Sequence, residues 1–276
     1  MRHFGFQIDD FRRRAIKNLK SEIFFIKELS MIYRSDGRAL DQMRPANIIL
    51  DFIRTAEGSC LIEFGNTRVI CTCSIEETVP GWMRNQGRGW ITGEYGMLPR
   101  STLTRSARES SRGRVGGRTH EIQRLIGRSM RAVADLAKLG ERTLWIDCDV
   151  IQADGGTRTA SITGGFVAMA LAMEKLVSAG TLKAVPLRDQ VAAVSVGMVD
   201  GEAMLDLAYE EDSRAEVDMN FVMTGSNRFI ELQATAEQVP FSDDQLAEMT
   251  RLARKGIGEL LALQKSVLDG FRSRSE

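Results

Sequence analysis

The segment from Thr143 to about Ala179 constrains the fold more than any other part of the chain. Leu144, Ile146, Cys148 and Val150 alternate with Trp145, Asp147 and Asp149, the two-residue period of a strand with one buried face. Asp154-Gly155-Gly156 breaks that strand, and an almost uniformly apolar run, helical in length, follows from about Thr159. A helix that is apolar on every side has to be covered on every side. Its core, around Ile162 to Met173, contains Thr163, Gly164 and Gly165 and is too short to span a bilayer, so a buried helix and no membrane partner are expected. A strand, a glycine turn and a buried helix in succession call for sheets and helices packed in layers.

The flanking sequence is consistent with that architecture. Cys60, Ile62 and Phe64 alternate with Leu61 and Glu63, Gly65-Asn66 supplies a tight turn, and the residues from Thr67 to Ile75 return as the second arm of a β-hairpin. The stretch from Pro80 to Gly117 is rich in Gly, Ser and Arg with little periodicity, which predicts long loops and irregular strands. From Arg118 to Leu139 one helix is predicted, with Ile122, Leu125, Ile126 and Val133 inward, Arg124, Arg128 and Arg131 outward, and Gly140 as its stop. A second strand-rich block with turns at Asp200-Gly201 and Gly225-Ser226-Asn227 follows, and Ser242 with Gln245 forms a capping box at the start of a long last helix. The order describes an α/β two-layer fold of two related βαβα-like halves. Residues 1–30 look foreign to it: from Asp9 to Leu29 the apolar spacing is helical, yet neither a signal peptide nor a mitochondrial presequence fits. An appended extension, helical or disordered, is expected there, ahead of a domain over residues 31–276.

Charge narrows the function. Lys plus Arg and Asp plus Glu both number 37, but arginine outnumbers lysine 29 to 8, and eleven arginines face only three glutamates between Arg84 and Arg131. A solvated face would accept lysine equally well, whereas the flat guanidinium fork suits phosphate and carboxylate. Nucleic acid leads among phosphate-rich partners, with arginine pairing across subunit contacts as the alternative. Cys60, Cys71, Cys73 and Cys148 form no zinc-type spacing with the two histidines, His3 and His120. They read as small buried residues in a reducing cytoplasm, and histidine triads are improbable.

Three constellations can carry chemistry. Gly155-Gly156-Thr157-Arg158, between strand and helix, offers converging backbone N–H groups, the helix dipole and side-chain donors, a phosphate cradle or else a tight turn with an N-cap. Gly116-Gly117-Arg118 opens the preceding helix with similar chemistry, although Arg118 alone could be a surface residue. Glu210-Glu211-Asp212 with Asp218 gathers carboxylates that could hold Mg²⁺, cap turns or pair with arginines, and Asp147, Asp149 and Asp154 form a further acidic group.

Several long stretches then match one family in order. The segments IDCDVIQADGGTRTA (Ile146 to Ala160), EYGMLPRST (Glu94 to Thr102), GGRTHEIQRLIGR (Gly116 to Arg128), DLAYEEDSRAEVDMN (Asp206 to Asn220) and RSDGRALDQMRP (Arg34 to Pro45) resemble bacterial ribonuclease PH. The likeness runs from about Arg34 to Phe271 and departs from the family at the first 30 residues and at His120, where methionine is usual. It implies a ribonuclease PH-type fold and a phosphorolytic 3′-to-5′ exoribonuclease, a nucleotidyltransferase that trims tRNA precursors and releases nucleoside diphosphates. Inorganic phosphate would be held by Arg118, Gly156, Thr157 and Arg158, and Asp212 and Asp218 would be the catalytic aspartates associated with Mg²⁺. A homohexamer, a trimer of dimers around a basic channel, is implied as well. Arg100, Arg105, Arg108 and Arg112 are the expected RNA contacts. The rival is a non-catalytic RNA-binding ring subunit, which should have lost these arginines or aspartates.

Overall fold

Strand β1 (Ala46–Leu50) runs antiparallel to β2 (Gly58–Phe64), and β2 to β3 (Thr67–Glu76) through the predicted Gly65-Asn66 turn. The structure, a computed structural model, describes residues 34–237 and 239–275; the helix expected within residues 1–30 lies outside the described residues. Asp41–Glu276 constitutes one unit, and the remarks below concern it. Beyond β3 come β4 (Trp90–Met97), helix α1 (Gly117–Val133), the single turn α2 (Leu136–Leu139), β5 (Thr143–Gln152) and α3 (Thr157–Ser178). The first sheet has the order β1-β2-β3-β5-β4, antiparallel except that β4 and β5 are parallel. The second half contributes β6 (Val191–Val199), β7 (Glu202–Leu205), the turn α4 (Tyr209–Asp212), β8 (Val217–Thr224), β9 (Phe229–Ala236) and α5 (Asp243–Ser275). Its four strands are antiparallel in the order β7-β6-β8-β9.

Helix α3 is the hub. On length and composition it could cross a membrane, but 78% of its apolar window is buried inside the protein. It packs on β2 and β3 and also meets β6, every residue of which is buried. Contact with β2 is close enough to require glycine: a Cβ on Gly58 would sit 1.9 Å from the Ala168 carbonyl oxygen and 2.7 Å from the Ala172 nitrogen. Buried Gln264 of α5 ties three elements together by donating to the carbonyls of Thr163 at 3.0 Å and Val191 at 2.9 Å. The capping box of α5 forms as expected, Ser242 N donating to Gln245 Oε1 and Gln245 N to Ser242 Oγ. All four cysteines are free and buried.

Two expectations need correction. The helix predicted from Arg118 to Leu139 is interrupted after Val133, because Ala134 bridges to Leu187 and the Asp135 carboxylate accepts from Lys138 N to start a new turn. The arginine-rich stretch before it contains a regular strand, β4, whose Ile91 and Tyr95 are buried while Gly93 lies under Ile126. Periodicity missed it because glycine stands at a core position. The acids at Glu210 to Asp212, expected only as a cluster of carboxylates, lie in a single helical turn.

Gly58→Ala tests the packing. With backbone atoms as the obstruction, β2 has to lift from α3, and the substitution should cost on the order of 3 kcal/mol, read from denaturant midpoints. Stability unchanged within 0.5 kcal/mol would mean that the two backbones are not this close.

Candidate active site

The cleft forms where the glycine turn after β5 meets the second half of the chain. Gly155 and Gly156 both adopt positive φ, +74° and +66°, where a side chain would be strained. A Cβ on Gly155 would lie 2.5 Å from the Leu207 carbonyl oxygen, and one on Gly156 3.1 Å from Arg44 Nη2. Arg44 is the residue that fixes the turn. Its backbone N and Nε donate to Asp206 Oδ2 at 2.8 and 2.9 Å and its Nη2 to Asp206 Oδ1 at 2.6 Å, while Nη1 donates to the Asp154 carbonyl. Both side chains are buried, at 4% and 1% exposure. Burial pulls the Arg44 pKa down, but the charge and hydrogen bonds of Asp206 outweigh it, so the net shift is upward. Thr67 Oγ1 completes the hold, donating to the Gly155 carbonyl at 2.6 Å and accepting from Asp154 N at 2.9 Å.

Thr157 and Arg158 follow at the first turn of α3, where unpaired backbone N–H groups and the helix dipole favour an anion. Thr157 Oγ1 and the buried Tyr95 hydroxyl are 2.8 Å apart. Arg158 is aimed by neighbours: its Nη1 donates to Gln233 Oε1 at 2.7 Å, Glu121 lies 3.6 Å away, and Gln233 Nε2 donates to Glu121 Oε1 at 2.7 Å. Arg118, in the first turn of α1, is exposed and makes no ion pair with the described residues. Glu109 supports that helix start, accepting from Thr119 Oγ1 at 2.8 Å.

The opposite wall carries Asp212, at the end of α4, and Asp218 on β8. Loss of hydration between the cleft walls pushes the Asp212 carboxyl up, opposed by the positive charges of Arg118, Arg158 and Arg44. Asp218 is pushed up to about 6 by burial first and by the Asp212 charge second, against the pull of Arg158 and a 3.4 Å hydrogen bond from Asn220. Asp218 Oδ1 is buried without a hydrogen-bond partner. An ionised oxygen held so invites a cation or a proton.

Arg118, Gly156, Thr157, Arg158, Asp212 and Asp218 all line this cleft of about 240 Å³, together with Ser195, Tyr209 and Asn220. The other anticipated acids do not join them. Glu211 folds back to accept from Ala208 N at 2.8 Å, and Asp154 accepts from Asn66 Nδ2 and Tyr209 N. Asp147 and Asp149 alternate with buried Ile146 and Cys148 and therefore face away from the core side of the sheet. Arg100, Arg105 and Arg108 are exposed on the loop after β4, outside the cleft lining, and the Arg112 side chain lies outside the described residues. Among the described residues no group of three or more His, Cys, Asp or Glu could hold a metal. Two carboxylates, one with an unpartnered buried oxygen, nonetheless fit Mg²⁺, which often takes only one or two and completes its octahedron with water and substrate phosphate. Arg44, Asp206, Tyr95 and Gln233 were not foreseen. Their only sequence signal is position: Arg44, Tyr95 and Asp206 fall inside three of the matching segments, while Gln233 falls in none.

Guanidiniums and a helix start on one wall with carboxylates on the other, on a two-sheet α/β scaffold, define an enzyme that handles phosphate. Family comparison specifies it: residues 42–173 match domain 1 and residues 189–256 domain 2 of the 3′ exoribonuclease family, and the chain belongs to that family. Within it the likeness is to ribonuclease PH. The chain is 61% identical over 237 residues to Ribonuclease PH of Solibacter usitatus, covering 86% of this chain and all of the relative. To Ribonuclease PH of Bacillus subtilis it is 62% identical over 237 residues, covering 85% and 96%. Among solved structures the fold is similar to an archaeal exosome core (TM-score 0.68, 20% identity, 92% of this chain and 99% of that one). It is similar also to the Archaeoglobus fulgidus exosome with RNA bound to its active site (TM-score 0.69, 20% identity, 93% and 99%). The anion wall comes from the first family domain and the aspartates from the second.

Arg44→Met removes the clasp of the glycine turn and strands the Asp206 carboxylate. Stability should fall by about 3–5 kcal/mol, and pairing the change with Asp206→Asn should recover part of it in denaturant titrations. No recovery in the double variant would show that the two side chains act independently.

Proposed function

We propose that the chain is a phosphate-dependent 3′-to-5′ exoribonuclease acting on tRNA precursors, with the cleft of Arg118, Arg158, Asp212 and Asp218 as its active site. The observation that carries this reading is the pairing, in one cleft, of an anion cradle at the start of α3 with two carboxylates whose pKa values are raised. Gly156, Thr157, Arg158 and Arg118 hold inorganic phosphate in line with the last phosphodiester of the RNA. A phosphate oxygen bonds to that phosphorus, and the bond from phosphorus to the 3′-oxygen of the preceding nucleotide breaks. The proton that HPO₄²⁻ gives up equals the one the leaving oxygen takes, so a nucleoside diphosphate and a shortened RNA with a free 3′-hydroxyl account for every atom. No strong base is needed, because phosphate is ionised at neutral pH. Asp212 and Asp218 would hold Mg²⁺, which supplies charge neutralisation at the scissile phosphate.

Arginines 100, 105, 108 and 112, on the loop leaving the cleft rim, are proposed as RNA backbone contacts; exposure of the first three supports this. A homohexamer, a cytoplasmic location and an extension over residues 1–30 preceding the catalytic domain complete the proposal, supported by the likeness to ribonuclease PH. The non-catalytic alternative is disfavoured because all four cleft side chains are present. Incubating a tRNA bearing extra 3′ nucleotides with Mg²⁺, with and without phosphate, tests the reaction: diphosphates should appear only with phosphate, and monophosphates in both samples would mean hydrolysis.

Two substitutions separate the roles. Arg158→Lys keeps the charge but loses the fork that Gln233 and Glu121 aim, so the phosphate concentration for half-maximal rate should rise at least tenfold with tRNA affinity within twofold. A collapse of tRNA affinity with unchanged phosphate dependence would move Arg158 to the RNA surface.

Asp218→Asn should cut turnover about a hundredfold or more, the loss of ~3 kcal/mol of transition-state stabilisation. Its effect on stability has the opposite sign. A carboxyl whose folded pKa is near 6 against 3.8 for the free side chain binds more protons folded than unfolded, so stability rises as pH falls from 7 toward 4. The metal-free Asn variant should therefore melt several degrees higher than the parent at pH 7 and lose that part of the pH dependence. Lower melting with turnover intact would remove Asp218 from the mechanism.

A further inference from the structure

A second hollow, of about 310 Å³, lies at the other end of α1. Arg118 and Arg131 are thirteen residues apart on that helix, on the order of 20 Å at 1.5 Å per residue, so the hollow is separate from the catalytic cleft. Three arginines from three segments line it: Arg88 ahead of β4, Arg131 in the last turn of α1, and Arg188 ahead of β6. The rest of its lining, Gln86, Gly87, Ala134, Leu136 and Ala137, adds no charged side chain. The only carboxylate pairing with these arginines among the described residues is Asp135, 3.5 Å from Arg188. Arg88 is exposed and has no ion pair with a described residue.

Arg131 is the telling member. It is half-buried, with Trp90 4.3 Å beneath its guanidinium and Trp82 packed edge-on against Trp90 at 4.9 Å. One Nη1 hydrogen bond goes to the Ile91 carbonyl at 2.6 Å, leaving the rest of the fork toward the hollow without an acid. Burial and the neighbouring Arg128 charge both act against its charged state. A stacked, partly desolvated guanidinium that lacks a counter-ion, facing two more guanidiniums, is arranged for an anion with several acceptor oxygens.

We propose that this hollow binds a phosphate group through Arg88, Arg131 and Arg188. The group is either a backbone phosphate of the RNA whose 3′ end occupies the cleft, roughly six stacked nucleotides away at ~3.4 Å each, or a free nucleotide. The first source rests on the proposed function, while the second does not.

Full-length Arg88→Ala/Arg188→Ala tests it, with Arg131→Lys as a variant that keeps charge and stacking stem. If RNA supplies the phosphate, the log–log salt slope of tRNA binding falls by about 0.7–0.9 and affinity falls severalfold, with turnover at saturating RNA within twofold of the parent. If a free nucleotide supplies it, equilibrium dialysis in an Arg118→Ala/Arg158→Ala background still finds one ADP per chain, and adding Arg88→Ala/Arg188→Ala abolishes it. An unchanged slope together with no such ADP overturns the proposal. So does a change of assembly size on a sizing column as the sole effect, which would make the arginines inter-subunit contacts. Because both readouts are equilibrium binding, a chain inactive in phosphorolysis that still loses slope or ADP would retain the pocket and reject the function.

Discussion

The buried pair of Arg44 and Asp206 is the interaction on which the geometry of the cleft depends. The Arg44 guanidinium makes two hydrogen bonds to a carboxylate from the second half and a third to the carbonyl of Asp154, and its backbone N–H adds another to the same carboxylate, so a single residue joins the glycine turn to the second half of the chain. Buried ion pairs add little net stability, but removing one partner is expensive. Their value here is positional. Gly156 combines a positive φ with a close approach to Arg44, both of which favour glycine, and the turn so clamped aims the start of α3 into the cleft.

Charge in the cleft is balanced rather than neutralised. Burial raises the pKa values of both aspartates, Arg158 lowers both and Arg118 lowers that of Asp212, and the Asp212 charge helps to leave Asp218 near 6 with one oxygen unsatisfied. A fold optimised for stability alone would replace that carboxylate. Its presence fits the proposed function, in which phosphate and a cation bind between the two walls.

Much of this was readable before any coordinates. Two-residue alternation in β2, β3 and β5, the apolar run of α3 and the capping box of α5 are local signals, and each became the predicted element. Failures arose where tertiary contacts decide. β4 hides its pattern behind Gly93, which exists because Ile126 packs on it, and the break after Val133 depends on a bridge to Leu187, over fifty residues away. The cleft side chains could be named from the matching segments, yet Gln233 and Glu121, which aim Arg158, meet it only in space. Nor could sequence tell that Glu211 is a cap while Asp212, its neighbour, faces the cleft.

The central claim is that the phosphate held at the start of α3 is itself the nucleophile. Inorganic phosphate fully labelled with ¹⁸O, in unlabelled water, addresses it directly: mass spectrometry of the released nucleotides should find the label only in the β-phosphoryl group of nucleoside diphosphates. Unlabelled nucleoside monophosphates as the product would show that water attacks instead, and would contradict the account.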